Sequence, residues 1–225
     1  MALHVYNDLV QGSDEWLAAR RGIVTASVVG QLITPSTIKP ANNDKSRALT
    51  TLLVAERITG WTDPVYVSDD MMRGTLDEPI ARAIYAEHYA PVDQVGFMVR
   101  EEDGWRLGYS PDGLVGDDGL IEIKSRRAKT QLTTILRDEV PAENMAQIQA
   151  GLLVSGRKWC DYVSFCGGMP LYVRRVHRDQ RWFDAIEDAV TAFETTAAEM
   201  VDRYTTAITG RPATERINHF QEASL

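Results

Sequence analysis

The sequence predicts a single α/β domain in which strands and helices alternate irregularly, and three observations lead there. A group of short segments in the middle of the chain alternates apolar and polar residues, as strands do. Stretches before and after it carry apolar residues at helical spacing. No repeat or low-complexity linker divides the 225 residues, a length that suffices for one sizeable core. The domain is expected over residues 1–210, with 211–225 a polar tail.

The elements follow in order. A first helix over 13–21 has Ser13 as its cap, Asp14 and Glu15 in its first turn and Gly22 past its end. Thr25 opens a second, to about residue 33, and the polar, proline-containing stretch 35–44 reads as a loop. A helix over 46–58 groups Leu49, Leu52, Leu53 and Ala55 toward one side, with Gly60 as its stop. Another runs over 69–89 ahead of Pro91, with irregularities expected at Gly74 and Pro79. Strands at 92–100, 105–109 and 120–124 are joined by turns at 102–104 and 116–119. Helices resume near 129 and over 142–154. A hairpin pairs 159–166 with 171–176 across Gly167-Gly168, and an amphipathic helix covers 179–206. Trp182, Phe183, Ile186, Val190 and Phe193 suit that last helix to core packing, with a subunit interface as the alternative.

Composition is that of a soluble globular protein, 44% hydrophobic and 25% charged. No apolar run approaches the roughly 18 residues of a membrane helix. The first residues lack a basic segment followed by an apolar one, so a cytoplasmic location is expected. Cys160 and Cys166 match neither a metal-binding pair nor a disulfide framework and read as reduced thiols on one strand. The histidines are scattered and compose no triad, and no glycine-rich phosphate loop is present. The net charge of −8 argues mildly against nucleic acid, whose phosphates are bound by Lys and Arg. It is an average, however: a basic groove fits inside an acidic shell, and a carboxylate-rich metal site adds negative charge of its own.

Chemistry concentrates in Ser110-Pro111-Asp112-Gly113 and the following Leu120-Ile121-Glu122-Ile123-Lys124. In the second segment a period of two sends Ile121 and Ile123 to one face and Glu122 and Lys124 to the other. A turn over 116–119 returns the chain antiparallel and brings Asp112 beside Glu122. Two adjacent carboxylates repel unless a proton or cation sits between them, and Mg²⁺ suits hard oxygen ligands while keeping waters and phosphate in its other positions. A lysine beside such a site positions or deprotonates water and offsets phosphate charge. Taken alone, Glu-x-Lys also describes a solvated strand face, and Ser-Pro-Asp-Gly an ordinary turn. Glu78, early in the 69–89 helix, supplies a further carboxylate.

The chain resembles the phage lambda exonuclease family, the YqaJ-type viral recombinases of the PD-(D/E)XK nuclease superfamily. The resemblance rests on Trp16 with Arg20 and Gly22-Ile23-Val24-Thr25-Ala26-Ser27; on Arg73-Gly74 through Glu78; on Ser110-Pro111-Asp112-Gly113-Leu114; on Glu122-Ile123-Lys124; and on Met145-Ala146-Gln147-Ile148-Gln149. These blocks keep the family's order and spacing over residues 12–165. The resemblance implies a restriction-endonuclease-like core, a mixed central sheet flanked by helices. It implies Asp112, Glu122 and the Ile123 carbonyl as ligands of Mg²⁺, with Mn²⁺ able to substitute and two ions per site. Glu78 would hold a second ion or its water, and Lys124 would orient or activate the attacking water.

A 5′-phosphate pocket of Arg20, Ser27, Ser110 and Gln147 is implied as well, chemically apt because a guanidinium fork, two hydroxyls and an amide surround a phosphate well. Ser27, in the first turn of its helix, is expected to add backbone N–H groups. Arg21 competes with Arg20 for the phosphate, and the Trp16 spacing favours Arg20. Where lambda exonuclease has Cys-Pro after the motif lysine, this chain has Ser125-Arg126-Arg127; with Lys129 these form a basic cluster expected near the DNA backbone. The implied activity is 5′→3′ exonucleolysis of double-stranded DNA ends to 5′-mononucleotides. The implied setting is phage or prophage recombination in a bacterial cytoplasm, with a homotrimeric ring and a single-strand annealing protein as partner. Rival readings are a repair or CRISPR-adaptation nuclease without an iron–sulfur cluster, a non-catalytic DNA-binding protein of the same fold, and a small-molecule phosphohydrolase.

Overall fold

In the computed structural model, which describes residues 2–64 and 66–217, the strands form two four-stranded mixed sheets that share one core. Helix α1 (Asp14–Arg20) starts where expected, with the Ser13 hydroxyl accepting the Trp16 N–H at 3.2 Å. The expected second helix is shorter: α2 (Ala26–Val29) passes into a 3₁₀ turn (Gly30–Leu32), and Thr25 makes no capping bond. A two-residue ribbon, β3 (Ile33–Thr34) against β4 (Lys39–Pro40), replaces the expected end of that helix and part of the loop expected over 35–44. Helix α3 (Asp44–Thr59) opens with a capping box between Asn43 and Ser46 and stops at left-handed Gly60. Its buried side is Leu49, Leu53, Val54 and Glu56. Leu52 and Ala55, expected on that side, are exposed, Leu52 at 49%. Helix α4 (Asp69–His88) runs through Gly74 and Pro79 without a break.

The first sheet takes the order β1 (Ala2–Tyr6), β5 (Phe97–Glu102), β6 (Trp105–Tyr109), β2 (Val24–Thr25), with only the last pair parallel. Strand β1 carried no signal in the sequence because every residue in it is exposed. Residues 92–96 fall outside β5; there only Asp93 pairs, with Leu114. The second sheet has the order β10 (Tyr172–His177), β9 (Trp159–Phe165), β8 (Gly119–Ser125), β7 (Gly113–Val115), with β8 and β9 parallel. Cys160 lies buried in β9 and Cys166 follows its end; both are free.

Helix α5 (Ala128–Arg137) follows β8, and helix α6 (Ala142–Ser155) is buried along most of its length. Helix α6 packs on β5 and β6 of one sheet and on β8 and β9 of the other, so its Ile148, Leu152 and Val154 tie both sheets into the main core. Helix α7 (Gln180–Ala207) adds Trp182, Phe183, Ile186, Val190 and Phe193 to that core, settling the role of its apolar stripe. A smaller core lies between α4 and the outer face of β8 and β9, where Ala81 and Tyr85 meet Ile121, Ile123, Val163 and Phe165. Residues 211–217 have no regular structure, although Arg216 stacks on Trp61 at 4.9 Å; the rest of the expected tail, 218–225, lies outside the described residues.

The turn after α1 is held with unusual care. The Gly22 N–H donates to Glu56 Oε2 at 2.7 Å, and Arg57 Nε donates to the Gly22 carbonyl at 2.7 Å. Arg57 in turn forks onto both oxygens of Glu194 on α7. Gly22 is left-handed (φ +65°), and an added Cβ would stand 2.4 Å from Arg57 Cγ. Gly22→Ala is therefore expected to destabilise the protein by roughly 1–3 kcal/mol, from backbone strain and displacement of Arg57. Urea unfolding measures this, and a variant that unfolds with the wild type would contradict it.

Candidate active site

Strand β8 lies inside its sheet, and its alternation decides which side chains meet. Ile121 and Ile123 turn to the small core beneath α4, and Glu122 is sent to the opposite face, where it is fully buried (0% exposed). A solvated strand face is thereby ruled out. The register Gly113↔Ile121 carries Asp112 alongside Glu122, and Asp112 Oδ2 accepts the Ile123 N–H at 2.6 Å. Lys124 Nζ stands 2.7 Å from Glu122 Oε1 and donates to Gln147 Oε1 at 3.0 Å. The Lys124–Glu122 contact is an ion pair, and both Glu122 oxygens are otherwise buried without a hydrogen-bond partner. Glu78, on α4, is held by Arg82 Nη2.

These charges are strongly coupled. Burial pushes the Asp112 carboxyl well above its ordinary value, and the charges of Glu122 and Glu78 push it further. Burial raises Glu78 too; Arg82 opposes this and Glu122 adds to it. For Lys124, burial disfavours the ammonium, but Glu122 and Asp112 outweigh it and hold its pKa above the usual lysine value. An Asp112 carboxyl that resists ionising, beside a Glu122 whose buried oxygens lack hydrogen-bond partners, is the signature of a place for a cation. Among the described residues, no three His, Cys, Asp or Glu side chains converge into a ready-made cage. The donor set is the sparser one that suits Mg²⁺, which binds through one or two carboxylates and keeps waters and substrate oxygens.

The same cleft, about 390 Å³, continues to Arg20, Ser27, Ser110 and Gln147. Arg20 lies flat on Trp16, its Cζ 3.9 Å from the ring centroid. Its Nη1 donates to Ser110 Oγ at 3.3 Å and its Nη2 to Thr25 Oγ1 and Ser27 Oγ, each at 3.4 Å. Trp16 Nε1 also donates to Ser110 Oγ, at 2.9 Å. Burial lowers the Arg20 pKa to about 10, with Glu56 opposing, so the guanidinium stays charged at neutral pH. Arg20 lines the cleft and Arg21 does not. Thr25 belongs to the hydroxyl cluster, 3.1 Å from Ser27 Oγ; its place two residues before Ser27 was the available signal. The backbone N–H contribution expected at Ser27 is not supported, because α2 is a single turn of four residues.

The basic cluster after β8 divides. Arg126 turns inward, donating to Asn144 Oδ1 at 2.7 Å and Tyr162 Oη at 3.3 Å. Arg127 stays on the surface against Asp70, which lines the cleft, and Lys129 is exposed. Ser125 joins α4 to β8 by accepting from Arg73 Nε at 2.9 Å and donating to Asp77 Oδ2 at 2.6 Å. The sequence reading also passed over Arg82, although its position one helical turn after Glu78 pairs the two on one helix face.

Comparison with known proteins identifies the family and the fold. Residues 15–158 match the family described as the YqaJ-like viral recombinase domain. Among solved structures, an alkaline exonuclease from Laribacter hongkongensis is 33% identical, with 88% of this chain and 98% of that one covered and a TM-score of 0.78. The same enzyme in complex with dAMP matches equally well. A phage-related exonuclease from Haemophilus somnus, at 13% identity and TM-score 0.60 over 81% of this chain and 96% of that one, shares the fold. Among curated proteins none matches. Among the described residues no helix is long and apolar enough to cross a membrane. With a family match over most of its length and the mixed α/β nuclease fold of the alkaline exonuclease, this chain belongs to the YqaJ-like viral recombinase family.

Proposed function

We propose that this protein is a Mg²⁺-dependent 5′→3′ exonuclease that degrades double-stranded DNA from 5′-phosphorylated ends, releasing 5′-mononucleotides and leaving a 3′ single strand for recombination. The observation that carries this reading is one cleft joining a buried carboxylate pair, Asp112 and Glu122, to a guanidinium-and-hydroxyl pocket at Arg20, Thr25, Ser27 and Ser110. The relative crystallised with dAMP is an alkaline exonuclease, which agrees with such a product.

Asp112, Glu122 and the Ile123 carbonyl would hold the metal, with Glu78 serving a second ion or its water and Mn²⁺ able to substitute. When bound, the metal supplies a polarised water and neutralises charge on the phosphate. Arg20, Ser27, Ser110 and Gln147 hold the terminal phosphate and so fix how far the strand enters. Lys124, 2.7 Å from Glu122 Oε1, orients or activates the attacking water and offsets developing negative charge. Gln147 steadies Lys124 and reaches the phosphate side of the cleft. Arg127, paired with Asp70 at the surface, and the exposed Lys129 face the DNA backbone in this reading, whereas Arg126 turns inward to α6 and β9. A homotrimeric ring, an annealing partner and a phage or prophage protein acting in the host cytoplasm complete the reading. A basic channel inside a ring reconciles the −8 charge with DNA.

The test is digestion of a linear duplex with Mg²⁺, comparing 5′-phosphate with 5′-hydroxyl ends. Faster loss of the phosphorylated duplex is expected. Both duplexes surviving, in Mg²⁺ and in Mn²⁺, would refute the proposal, and a stable monomer by light scattering at micromolar concentration would refute the ring.

A further inference from the structure

We infer that Arg82 is a positioning residue for the metal-holding carboxylates: one guanidinium pins Glu78 of α4 to the main chain of Asp112 and so sets the spacing between the helix-borne and strand-borne halves of the site. The inference rests on the proposed role of those carboxylates. The geometry is direct. Arg82 Nε donates to the Asp112 carbonyl at 2.7 Å, and Nη2 holds Glu78 Oε1. The side chain is 15% exposed, so water competes weakly for these bonds. Asp112 is then fixed at two points, its carbonyl by Arg82 and its Oδ2 by the Ile123 N–H.

Helix α4 is tied to the strands on both sides of Glu78: Arg73 and Asp77 bond Ser125 of β8, and of these three Arg82 alone reaches the main chain of Asp112. Ala81 and Tyr85 seat α4 on β8 and β9 by apolar packing, and the Tyr85 hydroxyl donates to Asp161 Oδ2 at 2.7 Å. That packing fixes the C-terminal half of α4. Glu78 lies toward the cleft beyond it, on the same helix face as Arg82. Arg82 thus does two things a point charge cannot do together: it holds a Glu78 oxygen and ties the carbonyl of the residue bearing the neighbouring ligand. A guanidinium has fixed, diverging donors suited to this, and a lysine ammonium does not.

The test compares Arg82→Lys and Arg82→Gln with the wild type. The first readout needs no DNA: the rise in melting temperature on titrating Mg²⁺ or Mn²⁺ into the metal-free protein. The second is kcat, KM for a 5′-phosphorylated duplex, and the Mg²⁺ concentration giving half-maximal rate. Both variants are expected to need roughly 10- to 100-fold more metal and to lose kcat to a similar degree, with KM for DNA little changed. Lysine is expected to rescue little, because it cannot make both bonds. If Arg82→Gln fails to fold, Arg82→Lys alone decides. A wild-type metal midpoint and kcat in Arg82→Lys would overturn the inference, as would a full rescue of Arg82→Gln by lysine, which would reduce the role to charge. Wild-type protein that binds metal but leaves DNA intact would refute the nuclease reading instead, and the metal titration would still judge Arg82.

Discussion

Glu122→Gln is expected to abolish nuclease activity, by on the order of 1,000-fold in kcat, while leaving a folded protein. The substitution keeps the shape of a side chain that is wholly buried and removes the negative charge facing Lys124 and Asp112. The amide keeps the size of the side chain but loses the charge that pairs with Lys124 at 2.7 Å, so a folded protein with impaired cation binding is the expected outcome. A stability measurement separates this from simple damage. Asp112 has a raised pKa in the folded protein, first from burial and next from Glu122. Between its ordinary 3.8 and that raised value, the folded chain keeps a proton that the unfolded chain gives up, so metal-free stability falls as pH rises. Glu122→Gln weakens that push, and the decline with pH is expected to be shallower than in the wild type. Native-rate digestion by Glu122→Gln would sink the ligand assignment.

Arg20→Lys is expected to erase most of the preference for phosphorylated ends, roughly 10- to 100-fold, chiefly through KM. Arg20 spreads its donors over Ser110, Thr25 and Ser27 while stacking on Trp16, and a lysine reproduces neither the fork nor the flat stack. Its carboxylate-bearing neighbours across the cleft are untouched, so the rate on 5′-hydroxyl ends is expected to stay near that of the wild type. Steady-state kinetics on matched duplexes measure both quantities. An unchanged ratio between the two ends would move the phosphate pocket away from Arg20.

The strands and helices legible in the sequence were those whose own residues set their environment. The alternation Leu120-Ile121-Glu122-Ile123-Lys124 implied two faces, and β8 has them. Ser13, Gly22 and Gly60 marked helix ends because capping and left-handed turns are local chemistry. Strand β1 was invisible, since an exposed edge strand needs no apolar pattern and exists only because β5 is there to pair with. On α3, Leu52 and Ala55 are exposed against expectation and Val54 is buried, because the packing of α3 against α7, rather than periodicity alone, chose the buried side.

By itself the sequence determined the mixed α/β class, the pairing of Asp112 with Glu122 through a short antiparallel return, and, by family resemblance, the membership of Arg20, Ser27, Ser110 and Gln147 in a common site. These follow from turn residues, a period of two and blocks that keep their order, all read along the chain. The tertiary structure decided what those residues face. It buried Glu122 with no hydrogen-bond partner apart from the Lys124 ion pair, turned Arg126 inward, chose Arg20 over Arg21 for the cleft and brought Arg82 across to the Asp112 carbonyl. Burial and contacts between residues distant in sequence depend on how sheets and helices stack, and no local pattern records that.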